Sequence, residues 1–126
     1  MSKCLAFSGI VLAAAMFGAM PAAGQDAEHG KAVFARCGIC HSGKAGSGPV
    51  VGPALGGLIG RKAGTLAGFQ YSKSLAQSDI VWNAETLDRY IEAPQKVVPG
   101  NKMAFFGLKD PTDRQDLIAY LETLKD

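Results

Sequence analysis

A segment of five residues, Cys37-Gly38-Ile39-Cys40-His41, holds the side chains of this sequence best suited to chemistry. Two thiols three positions apart, followed at once by an imidazole, form the C-x-x-C-H pattern of covalent haem attachment. Within one helical turn, this spacing lets each sulfur add to one of two neighbouring vinyl groups. His41 would then lie under the iron, where a neutral imidazole nitrogen can serve as an axial ligand. The segment therefore predicts a covalently bound haem.

Two other kinds of site could use the same cysteines. A redox-active pair of the thioredoxin type needs a strand-helix-strand neighbourhood, and no strand pattern flanks Cys37. A zinc site could be assembled on paper from His29, Cys37, Cys40 and His41. Because Cys40 and His41 are adjacent, both can hardly turn toward one tetrahedral ion. Haem attachment is therefore the favoured interpretation.

Residues 1–24 have the pattern of a cleaved export signal. A lysine precedes an apolar run over Leu5–Met20, and small residues up to Gly24 suit a signal peptidase. An uncleaved membrane anchor would need about 20 consecutive apolar residues, and this apolar run is interrupted. Cleavage would leave residues 25–126 as one mature domain. Cys4 would leave with the signal, and an exported chain without a possible disulfide points to a bacterial periplasm or an equivalent compartment.

The charge of the predicted mature chain is nearly balanced. Residues 25–126 contain 12 lysines and arginines and 11 aspartates and glutamates, a net charge of +1 before any haem propionates. A nucleic-acid-binding protein is expected to carry a clear basic surplus, so we expect no nucleic-acid partner. A chain of this length can bury only a modest core, to which a haem would add a large apolar body.

A second axial ligand decides between electron transfer and ligand chemistry at the iron. Removal of the signal takes away three of the four methionines and leaves Met103. His29 lies on the same predicted helix as the attachment segment, so it cannot easily reach the opposite haem face. Met103 lies in an irregular loop over residues 99–105, which can place a thioether where a helix could not. Met103 is the predicted ligand rather than a gap-filling core methionine, and His29 is predicted to lie on the surface.

Four segments are predicted to be helical, and in three of them apolar residues recur at helical spacing; the short segment Ser72–Gln77 is the exception. The predicted helices cover Asp26–Arg36, Ser72–Gln77, Ala84–Glu92 and a final segment that follows Asp110. Asn83 and Asp110 are predicted N-caps, and Pro94 should end the third helix. Gly30 is a poor helix former, so we expect a close contact with another helix there. Nothing indicates a sheet, and the predicted class is all-α.

Residues 43–68 lie between the first two predicted helices and contain nine glycines and two prolines. Neither a helix nor a strand can persist in such a stretch. An irregular segment of this length in a small domain normally has a function. Wrapping a flat macrocycle is one such function, because glycine lets the backbone lie close to a ligand.

The chain resembles the class I cytochromes c, close to the mitochondrial proteins and the soluble alphaproteobacterial carriers. The segments that carry the resemblance are 37–41, 52–55, 57–62, 68–71, Trp82, 99–103 with Phe105 and Gly107, and 116–121. They span nearly all of the predicted mature chain in the family order. The resemblance implies a fold in which N- and C-terminal helices cross and Gly-rich loops wrap one covalent haem c.

The resemblance also implies roles for particular side chains. The carbonyl of Pro53 would accept a hydrogen bond from the far nitrogen of His41 and fix its tautomer. Tyr90 would lie near the methionine sulfur. Three residues would partner a buried haem propionate, where an unpaired carboxylate would be costly: Arg61, Tyr71 and Trp82.

Several positions depart from the family pattern. Leu75 stands where many relatives have asparagine, and Asn101 replaces a common threonine beside the methionine loop. Gln95, Val50 and Asp110 occupy places where mitochondrial proteins tend to carry lysine. These changes bear on the redox potential and on the strength of a basic docking face.

The resemblance implies a soluble periplasmic one-electron carrier and not an enzyme. A membrane cytochrome bc-type complex would be its donor, and a terminal oxidase, a reaction centre or another periplasmic reductase its acceptor. A monomer suits a carrier that must diffuse. Two other classes share the attachment motif: a haem enzyme such as a peroxidase, in which Met103 dissociates, and a ligand-binding or sensor domain.

Overall fold

The computed structural model describes residues 25–125. The predicted export signal over residues 1–24 lies outside them, so that boundary stays a prediction. The described residues form five helices: α1 over Ala27–Gly38, α2 over Lys73–Ala76, α3 over Ala84–Glu92, α4 over Pro94–Val97 and α5 over Pro111–Thr123. They contain no strand, and one isolated antiparallel bridge joins Lys62 to Val81. The all-α prediction is confirmed.

The longer helices begin at side-chain caps. The Asp26 carboxylate accepts from the backbone N–H groups of Glu28 and His29 at the start of α1, at 2.9 and 3.1 Å. Asn83 and Thr86 form a reciprocal capping box on α3. Asp110 caps α5 in the same way as Asp26 caps α1. Each cap satisfies N–H groups that the helix leaves unpaired, and each is worth about 1 kcal/mol.

Helix α1 crosses α5 at a glycine. A Cβ built on Gly30 would overlap the backbone carbonyl of Asp116 and would lie 2.9 Å from Cβ of Tyr120. The rings of Phe34 and Tyr120 pack nearby with centroids 5.2 Å apart. The predicted close contact at Gly30 is therefore confirmed, and its partner is the backbone of α5.

The core lies between the α1–α5 pair, α3 and the glycine-rich segment. Its larger buried apolar side chains are Val33, Leu58, Trp82, Leu87, Tyr90, Val98, Leu108, Leu117, Ile118 and Leu121. Full burial of one such side chain stabilises the fold by about 1.5–3 kcal/mol. Among residues 25–125, no helix is both long enough and apolar enough to span a membrane.

The glycine-rich segment is irregular, as predicted, yet it is anchored to distant parts of the chain. Its backbone N–H groups donate from Gly57 to the Leu124 carbonyl at 2.7 Å and from Gly60 to the Trp82 carbonyl at 2.8 Å. Such bonds satisfy backbone groups that a helix or sheet would otherwise pair. The segment is therefore held against the end of α5 and the start of α3.

Helix α4 is absent from the predicted elements. Pro94 ends α3, as expected, but it is also the first residue of α4. Proline suits this position because its fixed φ is helical and the missing N–H would be unpaired there anyway. Pro94 was expected only to end the preceding helix, because proline inside a helix breaks it. A second helix that begins at the same residue was therefore not predicted.

Candidate haem attachment site

The two thiols lie at the C-terminal end of α1. Cys37 is in the last turn, and the backbone N–H groups of Cys40 and His41 both donate to its carbonyl, at 3.0 and 2.9 Å. Both cysteines are unbridged and partly buried, and Cys37 packs against the core. Burial raises the pKa of the Cys37 thiol, while the charge of Arg36 acts in the opposite direction. Cys40 and His41 follow the last residue of α1 in a turn that these two bonds close, so both thiols and the imidazole belong to one short hydrogen-bonded segment.

A hydrogen bond and a glycine orient the His41 ring. Its Nδ1 donates to the carbonyl oxygen of Pro53 at 2.7 Å, the contact that the family resemblance implies. Because Nδ1 carries the proton, Nε2 is the nitrogen with a lone pair for a metal. A Cβ on Gly52 would lie 2.7 Å from Nδ1 and 3.0 Å from Nε2, so only glycine leaves room for the ring. The Gly52 N–H also donates to the Cys40 carbonyl at 2.8 Å.

Met103 lies in the loop between α4 and α5. Its side chain is partly buried and packs against the same apolar core as Cys37 and Phe105. The backbone N–H of Met103 donates to Oδ1 of Asn101 at 2.9 Å. The thioether is thus in an apolar setting on a loop whose backbone is fixed by a neighbouring amide, a link that the sequence did not reveal.

The aromatic residues proposed as haem partners fall in two places. The rings of Trp82 and Tyr90 are both buried and pack with centroids 5.0 Å apart. Burial raises the pKa of the Tyr90 phenol to about 12, so it stays protonated. The half-buried Tyr71 packs edge-on against Phe69 with centroids 4.8 Å apart. Burial also raises the pKa of Tyr71, against the opposing charge of Arg61.

Arg61 connects these two places. The backbone N–H of Trp82 donates to the backbone carbonyl of Arg61 at 3.0 Å. The guanidinium donates to the carbonyls of Ala54 and Gly56 at 3.0 and 3.3 Å. A guanidinium has five N–H donors, so these two bonds leave others for a carboxylate. Arg61 is therefore close to Trp82 through the backbone and to Tyr71 through its charge. The contact of these three residues with a propionate stays a prediction.

His29 lies on the surface of α1 and contacts α5. Its side chain is 48% exposed, and Nδ1 is 2.8 Å from Oδ2 of Asp116. Within residues 25–125, no group of three or more histidine, cysteine, aspartate or glutamate side chains is placed to hold a metal ion. The described part of the chain also has no strand beside Cys37. Neither the zinc nor the thioredoxin alternative finds support.

The residues present fit a covalently attached porphyrin. Two free thiols follow one another on a helical turn, and the His41 tautomer leaves Nε2 as a ligand. The backbone at Gly52 has no room for a side chain, because the imidazole occupies that space. Together, the helical fold and this site define a small haem protein of the c type.

Comparisons with known proteins give the family. Residues 27–125 match the family model described as Cytochrome c. The chain is 52% identical over 98 residues to cytochrome c of Cochliobolus lunatus, covering 77% of this chain and 91% of that protein. It is 46% identical over 118 residues to cytochrome c2 of Blastochloris viridis, covering 94% of this chain and 91% of that protein. The chain belongs to the cytochrome c family.

A solved structure supports the same assignment. Cytochrome cH from Methylobacterium extorquens matches with a TM-score of 0.73 and 40% identity, covering 78% of this chain and 98% of that one. The class I fold predicted from the sequence is therefore confirmed. Family membership makes one covalently attached haem c the cofactor and implies an electron-carrier function.

Proposed function

We propose that the protein is a periplasmic one-electron carrier with its haem iron held between His41 and Met103. The hydrogen bond from His41 Nδ1 to the Pro53 carbonyl carries this proposal, because it directs Nε2 away from the backbone as a ligand. When bound, the haem supplies a one-electron ferrous–ferric couple. A thioether as the second ligand favours the ferrous form and raises the potential.

The chain supplies an apolar environment in which both ligands stay in place. Met103 packs on the core instead of pointing to solvent. Trp82 and Tyr90 are buried, and the phenol of Tyr90 keeps its proton. An apolar surrounding disfavours the extra charge of the ferric state, which acts in the same direction as the thioether. Arg61, Tyr71 and Trp82 are the groups we assign to a haem propionate, whose charge would need partners on burial.

The anchoring of the methionine loop favours a carrier over a haem enzyme. An enzyme of the peroxidase type would need Met103 to leave the iron so that a substrate could bind. The loop is instead fixed before Met103 by Asn101 and after it by Leu108, whose N–H donates to the Ile91 carbonyl at 2.9 Å. A loop held on both sides supports retention of the ligand in both oxidation states.

The ligand assignment can be tested by visible spectroscopy of the purified holoprotein. The ferric protein should show the weak band near the red end of the spectrum that marks a methionine–iron bond. Met103→Leu should abolish this band and lower the midpoint potential. Ala104→Ser, an exposed change at the next position, is the control and should leave both unchanged. A wild-type spectrum that Met103→Leu does not alter would exclude this ligand.

Export can be tested by mass spectrometry. The apolar run and small residues before position 25 support cleavage after Gly24. The protein from the periplasmic fraction should therefore have the mass of residues 25–126 plus one haem. A product that keeps residues 1–24 in the membrane fraction would show an anchor instead.

The proposed partners are a membrane bc-type complex as donor and a terminal oxidase, reaction centre or periplasmic reductase as acceptor. The net charge of +1 over residues 25–126 gives little long-range attraction to an acidic partner. We therefore expect the turnover rate to fall only shallowly as ionic strength rises. A steep fall across moderate salt would show a strong docking field that the overall charge does not indicate.

A further inference from the structure

We propose that Asn101, assisted by Gln95, is the positioning residue that holds the backbone of Met103 against the core and so limits release of the thioether. This inference rests on the proposed ligation by Met103. It concerns a residue that touches neither thiol nor imidazole and acts only through the loop.

The Asn101 side chain uses both of its amide hydrogens and its oxygen. Nδ2 donates to the carbonyls of Pro94 and Val98 at 3.0 and 2.8 Å, and Oδ1 accepts from the Met103 N–H at 2.9 Å. The residue is only 7% exposed, so water has little access to replace these bonds. One buried amide therefore joins both ends of α4 to the backbone of Met103.

Gln95 adds a second amide from the outer side of the loop. Its Nε2 donates to the Asn101 carbonyl at 3.1 Å and lies 3.4 Å from the Met103 carbonyl. Gln95 is exposed, so its bonds compete with water and contribute less than those of Asn101. The backbone N–H and C=O of Met103 are thus each within reach of a side-chain amide.

Asparagine suits this position better than threonine does. A hydroxyl has one hydrogen to donate, so it could pair with one of the two carbonyls and leave the other without this partner. Both carbonyls also accept from a backbone N–H, that of Pro94 from Val98 at 2.9 Å and that of Val98 from Asn101 at 3.2 Å. The loss on substitution is therefore that of the side-chain bonds that tie the loop to α4. Threonine should therefore keep part of the constraint, and alanine should lose all of it.

The experiment measures how readily imidazole displaces Met103 from the ferric holoprotein. Imidazole can bind only when the thioether leaves, so its apparent affinity reports the opening equilibrium of the loop. Asn101→Ala should raise this affinity by about tenfold or more, as expected for the loss of buried hydrogen bonds. Asn101→Thr should give an intermediate increase, and Gln95→Ala an increase of about twofold to threefold. Amide exchange of the Met103 N–H should accelerate in the same order.

Asn83→Ala is the matched control, because it removes an asparagine whose side chain caps α3 and makes no hydrogen bond to the loop. It should lower global stability yet leave the imidazole affinity within about twofold of wild type. Equal increases from Asn83→Ala and Asn101→Ala would overturn the proposal by showing a general loss of stability. Unchanged affinity in Asn101→Thr and Gln95→Ala would overturn it even if Asn101→Ala fails to fold. If the wild type lacks the methionine band, it is the proposed ligation that fails.

Discussion

An imidazole from the first turn of α1 is bonded to a carboxylate in the middle of α5: Nδ1 of His29 lies 2.8 Å from Oδ2 of Asp116. The other carboxylate oxygen accepts from the backbone N–H groups of Gln25 and Asp26, both at 2.8 Å. Asp116 is 3% exposed. A single buried carboxylate thus fixes the start of the described chain to the C-terminal helix.

This contact makes stability depend on pH in a defined direction. The hydrogen bond to Asp116 raises the pKa of His29 above 6.5. The pKa of Asp116 is lowered below 3.8 by hydrogen bonds from the Asp26 backbone N–H, from His29 and from the Gln25 backbone N–H. The stability that charged His29 contributes is fully present below the pKa of His29 in the unfolded chain. It is lost as pH rises through the raised pKa of His29 in the folded protein. The stability that the Asp116 carboxylate contributes is lost only as pH falls through its lowered folded pKa. His29→Gln should therefore reduce the free energy of unfolding more at about pH 5.5 than at about pH 8.5.

Urea unfolding of the holoprotein at both pH values measures this difference. Lys31→Gln is the control, since it removes a positive charge from an exposed position on the same helix. Its effect should be small and nearly independent of pH over this range. An equal loss for His29→Gln at both pH values would show that the contact does not depend on protonation of the imidazole.

A methyl group at Gly30 should separate α1 from α5. Gly30→Ala would place Cβ against the Asp116 carbonyl, which is backbone and cannot rotate away. Alanine gains about 1 kcal/mol of helix propensity, but forcing atoms into a packed contact costs about 1–3 kcal/mol or more. We expect a net loss in the free energy of unfolding. Gly38→Ala is the control in the same helix, since its Cβ would meet the Phe34 ring at 3.7 Å. Equal stability of the two variants would contradict this prediction.

Local chemistry explains which parts of the fold were predictable. A cap such as Asn83 or Asp110 acts on N–H groups within three residues, so its role can be predicted from the neighbouring residues. Asp26, predicted as the first residue of its helix, is instead its N-cap. The attachment segment is equally local, because one helical turn places both thiols and the imidazole. Gly30 was recognisable because a poor helix former inside a helix needs a packing reason.

Contacts between distant polar residues were not predictable from the sequence. Asp88 on α3 is half-buried and accepts from Nε of Arg114, 26 positions further along the chain, at 2.7 Å. Asn101 stood out only as a departure from the family, and nothing in its neighbours indicated three side-chain hydrogen bonds. Asp116 lies between Gln115 and Leu117 in α5, and its partners come from the start of the described chain. Such roles depend on which segments meet after folding.

The space beside His41 should tolerate no side chain. Gly52→Ala would place a methyl group against the imidazole ring, so either the ring turns and loses its bond to the Pro53 carbonyl or the loop moves away. Both outcomes weaken the orientation of the ligand. We expect a lower yield of haem-containing protein and, in what forms, a lower midpoint potential.

Haem staining after denaturing electrophoresis, together with redox titration, measures both effects. Gly48→Ala is a matched control on the same segment, since a Cβ there would meet no atom within 4 Å. It should give wild-type yield and potential. If Gly52→Ala behaves like Gly48→Ala, the loop adapts without disturbing the imidazole.

Replacing Arg114 with lysine should lower stability, because the planar guanidinium of Arg114 donates hydrogen bonds to three acceptors. Besides the Asp88 carboxylate, it donates from one terminal nitrogen to the carbonyls of Leu108 and Lys109 at 3.0 and 2.9 Å, which fixes the end of the methionine loop. An ammonium cannot reproduce this planar geometry, so Arg114→Lys should lower the free energy of unfolding by about 1–3 kcal/mol. Arg89→Lys is the control, since that exposed guanidinium lies 3.7 Å from Glu85 and should change stability by less than about 0.5 kcal/mol. Urea unfolding compares the two, and equal losses would mean that burial of the Arg114 guanidinium adds nothing.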